Sequence, residues 1–212
     1  MTIPGRPKVY GAAYSTYVRT VRLTLEEKGV PYELVEVDVF APGGPPAEYL
    51  EINPFGRIPS FVHDDFQMYE ALPIARYIDE VFPGPTLHPS SIRGRARMNQ
   101  ILGVLDSYAY RTLVWDIYVE RSASTKGKRP DEGRIAAALP AARKCLSAIG
   151  RLKENETWLA GPALSLADLH AAPMFDYFLR TEEGRDMLAG EPELAKWWDL
   201  VAQRPSMSAT KS

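Results

Sequence analysis

Residues 59–81 read PSFVHDDFQMYEALPIARYIDEV. Two short apolar runs, Pro59 to Val62 and Phe66 to Tyr69, flank the polar turn His63-Asp64-Asp65, which is the pattern of an antiparallel hairpin. Beyond it Ile74, Tyr77, Ile78 and Val81 form an apolar stripe at helical spacing, with Pro73 in the first turn, where its missing amide is harmless. The segment is predicted to be strand, strand, helix, and Phe82-Pro83-Gly84-Pro85 stops it abruptly.

Toward the N-terminus, Lys8 to Tyr10 is a short strand ended by Gly11, and Val18, Val21 and Leu25 then recur with helical period. Gly29 suits a left-handed helix cap, and Pro31 prevents continuation. Tyr32 to Val37 alternates as a second strand. Strand, helix, strand at this length favours a parallel pair with a right-handed crossover. The stretch Phe40 to Pro46 (FAPGGPP) is predicted to be loop, because proline lacks the amide donor and paired glycines are costly to order. The first ~85 residues thus read βαβ then ββα, an α/β unit of small-domain size.

After Pro85 the pattern is helical, rich in Ala and Leu, with no convincing β run. The expected division is 1–84 for the α/β domain and 90–212 for an all-helical (all-α) domain. Arg93 to Val119 and Pro130 to Leu152 are predicted as long helices joined by the polar connection Ser122 to Arg129. Ser165 and Asp168 have capping-box spacing, with Leu164 and Leu169 placed as the accompanying staple. A last helix is expected around Pro192 to Val201, with Trp197 and Trp198.

Composition limits the chemistry. With 45% apolar and 25% charged residues in 212, the chain has the make-up of a folded globular protein. A net charge of -2 with scattered basic residues argues against nucleic acid as a partner. No stretch reaches the ~18 apolar residues of a membrane span, and Met1 to Lys8 lacks a signal-peptide core, so a cytoplasmic location is expected. One cysteine, Cys145, permits no disulfide or Cys-x-x-Cys pair, and His63, His88 and His170 lack metal-ligand spacing.

Asn53-Pro54-Phe55-Gly56-Arg57-Ile58-Pro59-Ser60-Phe61, followed by Tyr69-Glu70-Ala71-Leu72-Pro73-Ile74, resembles the glutathione transferase family. The order of elements and the Ser165 to Asp168 box match that family as well. The resemblance implies a thioredoxin-like N-terminal domain and glutathione as cosubstrate. It implies further that Pro59 is the family's cis-proline, and that the backbone of Ile58 pairs with the extended tripeptide as a sheet edge pairs with a strand. A homodimer is implied by the resemblance alone.

Val9-Tyr10-Gly11 through Ser15-Thr16, with Arg19, Val21 and Leu25-Glu-Glu-Lys-Gly-Val30, is similar to the phi-like, serine-type members, and Ser15 aligns with their catalytic serine. A free thiol with pKa ~8.5 is mostly protonated at neutral pH, so a hydroxyl that donates to the thiolate favours the nucleophile. The positive end of the first helix acts in the same direction. A plain helix cap is the other role open to Ser15. Tyr14, Tyr17 and Tyr10 are rival hydroxyls, Tyr14 foremost.

The resemblance gives Glu70 the amino group of the γ-glutamyl arm, although a carboxylate there is also a good helix cap. Ala71 stands where the family has a serine that grips the γ-glutamyl carboxylate. The missing hydrogen bond to a charged group is worth about 1.5 to 3 kcal/mol, a tenfold to hundredfold loss of affinity, while the amide of Ala71 remains available. The 40–46 loop carries none of the charge that the phi-like members place there. Arg57 is able to hold the glycine-end carboxylate instead, and a solvated loop arginine is the other role open to it.

An electrophile pocket is expected between the domains, with Trp115, Tyr118, Tyr108, Phe175 and Phe178 as wall candidates or plain core aromatics. The expected activity is conjugation of glutathione to a small apolar electrophile, or reduction of an organic peroxide. The alternatives are a non-catalytic scaffold of the same fold, favoured by Ala71 and the charge-free loop, and glutathione-assisted isomerase or dehalogenase work.

Overall fold

The computed structural model describes residues 5–122 and 127–211, and the chain divides into two compact units. One runs to Thr86 and takes in the chain from Pro205 onward; the other is Leu87–Arg204. Of the expected polar connection 122–129, residues 123–126 lie outside the described residues.

The first unit is built on a four-stranded mixed sheet, order β2-β1-β3-β4. Strand β1 (Lys8–Tyr10) pairs parallel with β2 (Glu33–Val35) and antiparallel with β3 (Ser60–His63), which forms a hairpin with β4 (Phe66–Tyr69). β2 is shorter than its alternating pattern because β1 offers only three partners, Lys8, Val9 and Tyr10. β3 begins after Pro59, whose nitrogen has no hydrogen to give to a ladder.

Helix α1 (Thr16–Lys28) ends as its sequence implies: Gly29 sits at φ 68°, and its amide and that of Val30 bond back to Glu26 and Leu25. Helix α2 (Ala47–Ile52) was not expected from the sequence. Six residues with only Tyr49 buried are too short to show a period. Helix α3 (Ala71–Val81) buries Ala71, Ile74 and Ile78 against Val9, Val18, Val21, Leu25 and Phe61.

In the second unit, α4 (Ile92–Val104) is capped by Ser91, whose Oγ accepts the Gly94 amide, and runs into a π-helical stretch, Leu105–Val119, before closing in α5 (Glu120–Ser122). The sequence reads Arg93 to Val119 as a single helix, because both stretches are helical and no proline separates them. There follow α6 (Glu132–Lys153), α7 (Leu166–Phe178), α8 (Glu182–Ala189) and α9 (Pro192–Ala202). Every residue of α7 except Asp176 is buried, which makes it the central helix of this unit.

The second unit stops at Arg204, short of the expected 212. The short helix α10 (Pro205–Ala209) belongs to the first unit, where Arg19 and Arg22 of α1 hold its carbonyls. No helix among the described residues is long and apolar enough to cross a membrane, and no group of three or more His, Cys, Asp and Glu among them could hold a metal ion.

Candidate active site

The loop before β3 is tied down by side chains that the motif contains and one that it does not. Asn53, buried, accepts the Phe55 amide on its Oδ1 (3.1 Å) and donates from Nδ2 to the carbonyl of Arg57 (2.7 Å). Gly56 closes the turn at φ 58°, its amide bonded to the Asn53 carbonyl (3.0 Å). The hydroxyl of Tyr49, on α2, donates to the same Arg57 carbonyl (2.5 Å) and lies 2.8 Å from Ser60 Oγ. Burial pushes the Tyr49 phenol above its ordinary value, against the hydrogen bonds with Ser60 and Asn53, so it remains a neutral donor.

The Ile58–Pro59 peptide bond is cis. With the Arg57 carbonyl engaged, the N–H and C=O of Ile58 have no hydrogen-bond partner among the described residues. They form an open main-chain edge of the kind an extended peptide pairs with. The Ile58 side chain is anchored against the core, whereas the Arg57 guanidinium is exposed and engaged by no described residue.

Gly11 brings the start of α1 to this edge. A Cβ at that position would lie 2.4 Å from Val18 Cγ2 and 3.2 Å from Ile58 Cβ, so only glycine permits the approach. Ser15, half-buried, is the N-cap of α1: its Oγ accepts the Val18 amide (3.3 Å). That bond uses a lone pair. The hydroxyl proton is donated to no described residue.

The rival tyrosines are engaged or turned to other work. Tyr14 donates to Asp38 Oδ1 (3.2 Å) and stacks on Phe40. The Tyr10 ring lies 6.3 Å from that of Tyr49, and Tyr17 packs against the core. In the second unit Phe175 and Phe178 are fully buried, Phe175 edge-on to Trp197, which makes them core. Tyr118 stacks on Tyr177 at 4.4 Å, and Tyr108 is exposed.

Glu70 precedes α3 at φ 74°, ψ 118°, a conformation that costs a non-glycine residue about 1 to 3 kcal/mol. Its exposed carboxylate makes no capping hydrogen bond, so the plain helix-cap role is not the one it performs here. The amides of Ala71 and Leu72 begin the helix without intrahelical acceptors, and Pro73 has none to offer. The 40–46 loop carries no charged side chain, and Gly43 and Gly44 lie at positive φ.

Sequence reasoning missed two supporting roles. The sequence offers Asn53 only as part of the motif, and it does not single out Tyr49. The signal for Tyr49 was faint: one aromatic in a short stretch between a Gly-Pro loop and Asn-Pro.

The glutathione S-transferase N-terminal domain family matches residues 9–86, and the glutathione S-transferase C-terminal domain family matches residues 109–205. Glutathione S-transferase F10 of Arabidopsis thaliana is 30% identical over 206 residues, covering 92% of this chain and 92% of the relative. A stringent starvation protein A homolog of Haemophilus ducreyi is 30% identical over 160 residues, 74% of this chain and 68% of the relative. Among solved structures, glutathione transferase F7 from Populus trichocarpa superimposes with a TM-score of 0.84 at 29% identity, covering 96% of this chain and 97% of that one. An open main-chain edge at Ile58, a capped helix at Ser15 and these matches across both units have one explanation: the chain belongs to the glutathione S-transferase family.

Proposed function

We propose that this protein activates glutathione through Ser15 and delivers the thiolate to a small apolar electrophile, or to an organic peroxide. The observation that carries the reading is that Ser15 Oγ already accepts a helix amide while its proton remains uncommitted. A hydroxyl polarised in this way, at the positive end of α1, is a good donor to a sulfur anion. The main chain of Ile58 pairs with the cysteinyl residue of glutathione. Glu70 and the Ala71 amide take the γ-glutamyl end, and Arg57 takes the glycine carboxylate. The thiol proton leaves to solvent. On carbon, sulfur bonds to the electrophilic atom and the leaving group departs. On a peroxide, sulfur bonds to oxygen as the O–O bond breaks and the alcohol leaves, and a second glutathione converts the sulfenic acid to disulfide and water. In this reading the protein works in the cytoplasm as a homodimer. The exposed Phe55, edge-on to Tyr69, is apolar surface suited to a second copy.

The test is conjugation of a chromogenic aryl halide by the wild-type protein and by Ser15→Ala. A roughly 10- to 100-fold lower kcat with the variant is expected, the worth of one hydrogen bond to a charged group. Equal rates would reject the serine assignment. A second reading, a non-catalytic scaffold, is favoured by Ala71, by the charge-free loop, and by a relative whose name is not that of a transferase. Calorimetric titration separates the two, because a scaffold that has lost the site gives no heat and no thermal stabilisation with glutathione.

A further inference from the structure

Helix α1 is held on two faces. Val18, Val21 and Leu25 pack into the core, while Arg19 and Arg22, one turn apart, are buried at 4% and 8% exposure and reach α10. Arg19 donates from Nε to Thr210 Oγ1 (3.3 Å) and from Nη2 to the Met207 carbonyl (3.0 Å). Arg22 donates to the carbonyls of Thr210 (3.2 Å) and Ala209 (3.4 Å), and to the Tyr32 hydroxyl (3.0 Å). Ser206 Oγ donates to Glu27 of α1 (2.5 Å).

A helix of five residues is too short to be stable alone, and the carbonyls at its end lack intrahelical partners and carry the negative end of its dipole. Two guanidiniums answer both needs. Burying a guanidinium is costly unless it is well bonded, so a helix that presents two on one face is organised to grip what lies there.

One bond links this grip to the chemistry. The Arg19 amide donates to the Ser15 carbonyl at 2.9 Å and closes the first turn of α1. Any shift of Arg19 is therefore passed to the residue that caps the helix, and catalytic geometry tolerates little displacement.

We infer that Arg19, by gripping Met207 and Thr210, is the positioning residue that sets Ser15 against the glutathione sulfur; this rests on the Ser15 reading above. Thr210→Val removes the hydroxyl that Arg19 Nε uses, and Arg19→Gln removes the guanidinium. The thiolate absorbance of bound glutathione is followed against pH in each purified variant, together with kcat, KM and thermal midpoint. Both substitutions should raise the midpoint for ionising the bound thiol by about one pH unit, leaving about tenfold less thiolate below it. A similar fall in kcat is expected, with KM for glutathione within about twofold. Arg19→Lys, which keeps the charge but not the planar fork, should restore part of the loss. If Arg19→Gln does not fold, Thr210→Val carries the test.

In a Ser15→Ala background, Thr210→Val should have no further effect, because the residue it positions is gone. A folded Thr210→Val with the wild-type midpoint would overturn the inference. So would a second drop of equal size in the Ser15→Ala background, which marks a general structural role. If Ser15→Ala alone leaves the midpoint unmoved, the Ser15 reading fails and takes the positioning role with it. If Ser15→Ala moves the midpoint and Thr210→Val does not, only the positioning role is lost.

Discussion

The side-chain amide of Asn53 donates to the carbonyl of Arg57 at 2.7 Å, and the hydroxyl of Tyr49 meets the same oxygen. Two donors on one carbonyl hold the residue next to Ile58, leaving the main chain of Ile58 as the open edge. Asn53→Ala should cost about 1 to 3 kcal/mol of stability by leaving that turn underbonded. It should also weaken glutathione by roughly tenfold in calorimetric titration, with kcat at saturation little changed. Asn53→Asp keeps the acceptor for Phe55 but sets a carboxylate against the Arg57 carbonyl, so it should do no better.

Ala71 is buried at the first position of α3, beside an exposed carboxylate that caps nothing. Ala71→Ser adds one hydroxyl where a γ-glutamyl carboxylate is expected. Glutathione should bind about 10- to 100-fold more tightly, read by calorimetry, while thermal stability moves little. An unchanged affinity would show that the γ-glutamyl end lies elsewhere.

In the second unit, Asp168 gathers four donors: the amides of Leu159 and Ser165 (2.8 Å each), Ser165 Oγ (2.7 Å) and Trp197 Nε1 (2.8 Å). Burial pushes its carboxyl up, and the donors oppose this. Asp168→Asn would turn an NH2 toward some of these donors and leave them unpaired. A loss of about 3 kcal/mol or more is expected, seen as a lower thermal midpoint. Trp197→Phe, which removes a single donor, should cost less.

Lys28 and Asp79 form an ion pair exposed at only 3% and 1%, with Nζ 3.2 Å from Oδ1 and also bonded to the carbonyls of Asp79 and Pro85. Lys28→Met takes the buried cation from Asp79 and should destabilise by roughly 3 kcal/mol in urea unfolding. The double variant Lys28→Met, Asp79→Leu should recover most of that loss, because a buried carboxylate that has lost its cation is the costly state.

Much of the first unit was legible because its signals are local. Gly29 ends α1 by its own backbone freedom, Ser15 caps it with its own side chain, and the hairpin turn lies between two apolar runs. The motif Asn53 to Pro59 marked the cis peptide bond ahead of Pro59. Less was legible where a residue acts at a distance. Tyr49 sits on a helix too short to announce itself, and its purpose appears only when its hydroxyl meets Arg57 and Ser60.

Sequence by itself determined the βαβ then ββα order of the first unit, apart from α2, and the capped start of α1, since each depends on residues a few positions apart. Tertiary structure alone decided that the stretch from Pro205 packs on α1, and that the Glu70 carboxylate is left uncommitted. The physical reason is separation: Arg19 and Met207 lie 188 residues apart, and a hydrogen bond between them leaves no periodic trace in the chain that makes it.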